Sequence, residues 1–371
     1  MSLILFFIVL AILILSHELG HFAVAKYFGV RVDEFGFGFP PRLFVKKRGE
    51  TEYSLNLIPF GGFVKIFGED ETDEYLKTPE KDRSRSLLNQ PKKVQAAVIL
   101  AGVFCNFLLA WFLISTTITL GAKVSATSLP ERLKASEVGL VVMNVVPGSP
   151  ADKAGLKSGD EVVYVASIER TLQEGSLAVK NVQDLIASSK DKDIVIGFSR
   201  DRAPAQSIIV TPVSGIVEDR GAIGVSLDMV GTLKLPFYRS IYEGFIITIR
   251  LVAEMVVGLV DFVYGFFVGS SSVGQVSGPV GMVGIVGEAG RRGIVELLNM
   301  TALISINLAV INLVPFPALD GGRLLFLVVE SLRGKPINKK ATATMNAIGF
   351  LLLLSLMFAV TYSDISKIFF K

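Results

Sequence analysis

The chain has 371 residues, 51% of them hydrophobic and 19% charged, and its formal net charge at pH 7 is +3. With a mean hydropathy of +0.55, it reads as a polytopic α-helical membrane protein carrying some soluble mass. The near-balanced charge gives no reason to expect a nucleic-acid partner, and the single Cys105 excludes an internal disulfide.

The first apolar run extends from Leu3 to Phe22. No Lys or Arg precedes it and no small-residue cleavage site follows, so it is expected to stay as a span rather than leave as a signal peptide. Inside it lies His17-Glu18-Leu19-Gly20-His21, which holds both histidines of the chain. An ionised side chain at bilayer depth costs roughly 2.5–3.5 kcal/mol, so this cluster needs a compensating interaction. On a helix His17 and His21 lie one turn apart on one face, where both can bind a single metal. Glu18 is then placed beside them to take a proton from water at that metal. The competing reading, two buried histidines hydrogen-bonded to neighbouring helices, leaves Glu18 unexplained.

The segment 26–93 is basic, with Lys46-Lys47-Arg48 and Lys92-Lys93. Within it Glu34-Phe35-Gly36-Phe37-Gly38-Phe39 and Tyr53-Ser54-Leu55-Asn56-Leu57 alternate in the manner of strands, with a turn near Arg48-Gly49-Glu50. Pro59-Phe60-Gly61-Gly62-Phe63-Val64-Lys65 is too apolar for a solvated loop, which predicts a small sheet dipping back toward the histidines. An open strand at Gly61, Gly62 and Phe63 would hold an extended substrate by strand addition; the alternative is a hairpin that only contacts lipid. Acidic Glu69-Asp70-Glu71-Thr72-Asp73-Glu74 reads as solvated.

A second span is expected at 94–121. From Lys123 to Val230 apolar runs shorten to strand length with turn signals between them, which predicts a β-rich domain. Phe237 to Val268 is apolar but carries Glu243, Arg250, Glu254 and Asp261, spaced 7, 4 and 7. On a helix these form one stripe about 40° wide, which predicts an interfacial or cavity-lining helix, with a gate and an anchor both open as its role. Two further spans follow, Ile294 to Val314 and Ala347 to Tyr362. The basic segments 26–93 and 323–340 should both be cytoplasmic. Both termini are then extracytoplasmic, the first and third spans run parallel, and Phe237 to Val268 crosses zero times or twice.

Two histidines do not complete a catalytic zinc site, which usually has three protein ligands. With no third His and Cys105 distant, the missing ligand is expected to be a carboxylate. Asp320 follows the third span in Asn312-Leu313-Val314-Pro315-Phe316-Pro317-Ala318-Leu319-Asp320-Gly321-Gly322. His17 lies roughly 22 Å along the first helix, so both groups lie toward the inner face. The prolines interrupt the helix and the glycines permit a turn that aims Asp320 inward; an ordinary span-ending turn is the alternative.

These strings, in this order, resemble the site-2 protease family of intramembrane zinc metalloproteases, in particular its RseP-like bacterial branch. The resemblance rests on His17 to His21, on Asn312 to Gly321, and on Val138 to Val163, which resembles a PDZ domain of the circularly permuted bacterial type. It implies Zn2+ held by His17, His21 and Asp320, Glu18 as general base, and Asn307 and Asn312 handling substrate backbone or oxyanion. Being five residues apart, those asparagines lie about 140° apart on a regular helix and face one site only if it distorts. The implied architecture is four transmembrane helices with a membrane-associated cytoplasmic β-loop and an inserted periplasmic PDZ domain. In chain order it comprises a first span at 1–24, cytoplasmic loop 26–93, span 94–121, PDZ domain 123–230, extracytoplasmic amphipathic helices 237–292, span 294–322, cytoplasmic loop 323–342 and span 343–363.

Gly139-Leu140 is expected to form the PDZ groove, a size filter being the alternative role for that domain. The implied activity is cleavage of single-span transmembrane substrates in the bacterial inner membrane, such as an anti-sigma factor and remnant signal peptides, in contact with membrane lipid. A membrane-tethered PDZ scaffold with a non-catalytic zinc site is the alternative.

Overall fold

Amides immersed in lipid have no water to bond and must close their own hydrogen bonds, which a long apolar run does as a helix. The computed structural model describes all residues except 70–82, 174, 201–202, 218–219, 270–276 and 370–371. It has two compact units, one of residues 1–117 with 236–371 and one of residues 118–235. The acidic run 69–74 lies outside the described residues apart from Glu69.

The first unit begins with α1 (Ser2–Tyr27). A two-stranded antiparallel sheet follows, β1 (Val32–Arg48) and β2 (Thr51–Ile66), turning at Gly49 with φ +65°. Both strands fold over at their prolines. As a result, Glu34 to Phe37 partners Glu52 to Leu55 and also Lys65 to Gly62, while Arg42 to Arg48 pairs with Asn56 to Thr51. The stretch 62–66 therefore meets β1 on one side only among the described residues. Next comes α2 (Lys92–Leu120), antiparallel to α1: Ser16 Oγ donates to the Cys105 carbonyl at 3.3 Å, and four residues on, Gly20 packs on Ala101.

The second unit holds β3 (Ala122–Ser125), β4 (Ser136–Val145), α3 (Pro150–Lys153), β5 (Glu161–Ala166), β6 (Thr171–Leu172), α4 (Val179–Ser188), β7 (Ile194–Ser199), β8 (Gln206–Val210), β9 (Val213–Val217), β10 (Arg220–Ala222) and β11 (Val225–Leu233). Its main sheet runs β3-β11-β4-β5-β7-β8, with β6 on β5. The apolar face of α4, Val182, Leu185 and Ile186, is buried in one core with Leu140, Val162, Val165, Ile196 and Phe198. Buried Asp160 takes two bonds from Arg200, at 2.6 and 2.7 Å.

Back in the first unit, α5 (Phe237–Val268) is one unbroken helix. Of the stripe, Arg250, Glu254 and Asp261 are exposed and Glu243 is not. Glu243 is buried, and the first third docks on α2, where the Trp111 indole donates to the Ile241 carbonyl at 2.9 Å and Phe245 stands edge-on to Phe107 and Trp111. After α6 (Pro279–Arg292) comes α7 (Ile294–Leu313). Gly287 and Gly290 of α6 pack on Ser2 and Leu5, so α7 starts beside the start of α1. The segment from α5 to α6 thus begins and ends at the same end of the unit.

Residues 323–342, read as a loop, instead contain most of α8 (Asp320–Arg333). Asp320 in its first turn and Arg333 in its last complement the helix dipole, and Gly334 at φ +65° ends it. The last helix, α9 (Lys339–Phe369), accepts the α6 Gly281 N–H at 2.8 Å on Asp364. Among the described residues α1, α2, α7 and α9 are the four helices long and apolar enough to cross a membrane.

Ion pairs gather the two basic segments at one end. Lys26 at the close of α1 lies 2.5 Å from Glu50 in the β1–β2 turn, Arg85 grips the same carboxylate at 2.6 and 2.8 Å, and Lys92 lies 2.6 Å from Glu330. The Arg85 hydrogen bonds, with help from Lys26, hold the Glu50 carboxyl down at about 2. A carboxyl depressed on folding contributes stability above its unfolded pKa and loses it as pH falls toward the folded one. Glu50→Gln should accordingly lower the thermal midpoint in detergent at pH 7, with the gap from the parent protein closing between about pH 4.5 and pH 2. A gap independent of pH would show that the charge of Glu50 contributes nothing.

Candidate metal centre

In α1 the four-residue spacing stacks the two imidazoles, whose Nε2 atoms lie 3.1 Å apart. The same nitrogens lie 3.1 Å (His17) and 3.4 Å (His21) from Asp320 Oδ2. Asp320 arrives there because α7 stops at Leu313 and Pro315 and Pro317 carry the chain through a tight reversal. Glycine is required in that reversal. A Cβ on Gly321 would come 2.5 Å from the Leu313 carbonyl carbon, and one on Gly322 would come 2.7 Å from that of Phe316. Ala318 takes φ +73°, and its N–H donates to Asn346 Oδ1 of α9 at 3.3 Å.

The cluster fits a metal. Three ligand atoms lie within 4.8 Å of one another, and Asp320 Oδ2 is buried without a hydrogen-bond partner. Tetrahedral zinc with bonds of about 2.0–2.1 Å sets its ligand atoms about 3.3 Å apart, close to the three separations found. His21 Nδ1 lies 2.8 Å from the Val98 carbonyl, an acceptor that keeps the proton on Nδ1 and leaves the Nε2 lone pair facing the cluster. Two imidazoles and a carboxylate form the donor set of catalytic zinc sites that keep a position open.

Glu18 faces the sheet: a Cβ on Gly62 would fall 3.2 Å from its Cγ and 2.6 Å from Ile14 Cγ2. Of the three predicted strand residues, Gly62 lies against this side of α1, while Gly61 packs on Phe39 and the Phe63 ring on Gly36. Arg323, one turn beyond Asp320, pairs with Glu69, so that residue is not simply solvated as its sequence suggested. The asparagines separate as regular helix geometry demands, because α7 is unbroken through both. Asn312 lies within about 20° of Ser305, whose hydroxyl donates to the Asn106 carbonyl of α2 at 2.8 Å. Asn307 is exposed on nearly the opposite face and is not brought to the cluster.

Gly139 and Leu140 do not suit a peptide groove. Leu140 is buried in the core and paired with Met229 on one side and Val162 on the other, so the strand has no free edge there.

The sequence matches peptidase family M50 over residues 5–356. The chain belongs to that family. It is similar to a protein of Clostridium perfringens named as a zinc metalloprotease, at 34% identity over 357 residues covering 95% of each chain. A Nostoc protein named likewise is 34% identical over 355 residues, covering 94% of this chain and 91% of the relative. The regulator of sigma-W protease RasP of Bacillus subtilis is 30% identical over 429 aligned positions, covering 99% of each. This family member is accordingly a zinc metalloprotease.

Sequence reasoning passed over the part played by α2. Val98, Gly102 and Asn106 are spaced four apart and line one face against the two rings, and a polar Asn in an apolar span was the available signal. A Cβ on Gly102 would lie 2.7 Å from His17 Cε1. Gly102→Ala should therefore displace the imidazoles and weaken zinc binding at least tenfold while helix content is kept, as read by chelator competition and circular dichroism. Equal zinc affinity would contradict this packing.

Proposed function

We propose that this M50 peptidase hydrolyses a peptide bond of a single-span membrane protein within the bilayer, with His17, His21 and Asp320 holding zinc and Glu18 as general base. This reading is supported above all by the convergence of two imidazole nitrogens, His17 Nε2 and His21 Nε2, on the buried Asp320 Oδ2, which has no hydrogen-bond partner. Zinc bound there supplies Lewis acidity, polarising a carbonyl and easing deprotonation of water. Glu18, next to His17 in sequence and beside Gly62 in space, takes the proton of the attacking water and returns it to the leaving amine. Asn312, on the α7 face toward Asn106, donates to the oxyanion or to extended substrate backbone.

A helical substrate must unwind before its carbonyl is reached, and the stretch 62–64, with one side paired to β1, offers its other side for strand addition. Amides alternate sides along a strand, so one of Phe63→Pro and Val64→Pro removes an amide from the open side. At least one should lower kcat/KM about tenfold; if neither does, strand addition is wrong.

Residues 118–235 act as a PDZ domain of the permuted type. The side of β11 that faces β3 is unpaired from Val225 to Asp228 among the described residues, and it replaces Gly139-Leu140 as the place where a peptide would add. The basic segments 26–93 and 323–340 lie in the cytoplasm, both termini outside, and the membrane is the bacterial inner membrane. A sigma-regulating relative supports an anti-sigma factor as substrate. Remnant signal peptides are a second class of single-span substrate.

A non-catalytic scaffold is disfavoured because a structural zinc normally takes four protein ligands, against the three gathered here. The test uses purified protein in proteoliposomes with a single-span substrate. Glu18→Gln should keep stoichiometric zinc and lose cleavage by at least about 100-fold, whereas Asp320→Ala should lose zinc. Undiminished cleavage by Glu18→Gln would overturn the mechanism.

A further inference from the structure

Each ring of the proposed zinc pair has a second nitrogen that needs a partner away from the metal. For His21 the partner is the Val98 carbonyl. For His17 the group at Nδ1 is the side chain of Asn106, which is fully buried in α2 with its Nδ2 3.5 Å from that nitrogen. Oriented so, the amide turns a donor toward Nδ1, and its own Oδ1 is left buried without a partner. A donor facing Nδ1 would move the imidazole proton to Nε2, pointing it at Asp320 and His21, where a lone pair is required.

Exchanging the two ends of the amide, which have the same heavy-atom shape, turns its oxygen toward Nδ1. Oδ1 then accepts the His17 Nδ1–H, the orphaned oxygen is satisfied, and Nε2 is free to bind metal. We infer that Asn106 is a positioning residue that fixes the tautomer and ring plane of His17 through its side-chain oxygen. The Asn106 backbone carbonyl is held in turn by Ser305 of α7 at 2.8 Å, so the orienting group is braced by a third helix.

This inference rests on the ligand reading above, and its test separates the two. Zinc affinity of the full chain in detergent is measured by chelator competition, and Co2+ is used as a spectroscopic probe of the ligand field. His17→Ala, His21→Ala and Asp320→Ala examine the ligands alone; parent-like zinc binding in all three would overturn that reading whatever Asn106 does. Asn106→Leu removes the acceptor at similar volume and should weaken zinc binding 10- to 100-fold, the usual effect of losing such a partner. Asn106→Asp retains an acceptor and should stay within about threefold of the parent, with a parent-like Co2+ spectrum. Should Asn106→Leu not fold, Asn106→Ala removes the same acceptor and carries the same expectation. Parent-like affinity without an acceptor, or Asn106→Asp binding as weakly as the acceptor-free variant, would overturn the proposal.

Discussion

The close approach of α1 and α2 is the contact on which the site depends. Between helices in lipid the hydrophobic effect gives little drive, so association falls to van der Waals packing of small residues and to interhelical hydrogen bonds. Both occur at one place. Gly20 lies against Ala101, Gly102 lies beneath the two rings, and His21 is bonded to the Val98 carbonyl. Larger residues at either glycine would push the helices apart. The carbonyl would then retreat from the ring it orients, and the spacing of His17 and His21 would cease to define a metal site.

Asp320 is delivered by a different device, a strained reversal held from outside. A non-glycine residue at positive φ, such as Ala318, costs of order 1–3 kcal/mol, and the bond to Asn346 of α9 offsets part of that. Gly349 of the same helix lets α9 approach the reversal, since a Cβ there would lie 2.7 Å from Pro317 Cβ. The helix that starts at Asp320 is also tied at two points, Arg323 to Glu69 and Glu330 to Lys92. The carboxylate is therefore linked to the exit of the sheet and to the foot of α2, so a shift of either element reaches Asp320.

Much of this was legible because its physics is local. Four spans follow from run length alone, and the paired histidines follow from helical period. Asp320 follows from there being no third imidazole and from the parallel course of α1 and α7. What escaped the sequence depends on partners far along the chain. The small residues of α2 do not announce which rings they will accommodate. The dipeptide Gly139-Leu140 looks like a docking loop until β11, some ninety residues later, closes one side of it. Glu69 reads as one of several solvated acids, and only the fold reveals Arg323 beside it. The face occupied by Asn307 was undetermined until α7 proved regular through the asparagines.

The surroundings of the cluster are unequal, and this bears on how a substrate must arrive. On one side the rings are closed off by Val98, Gly102 and Asn106 of α2, with Ser305 of α7 behind them. On another, Asp320 and its reversal fill the space. Glu18 instead faces Gly62, where there is backbone and no side chain. A glycine at that point keeps side-chain bulk away from the proposed base. Backbone amides recognise another backbone without reading its side chains, which suits the single-span substrates proposed above, alike in their span rather than in sequence.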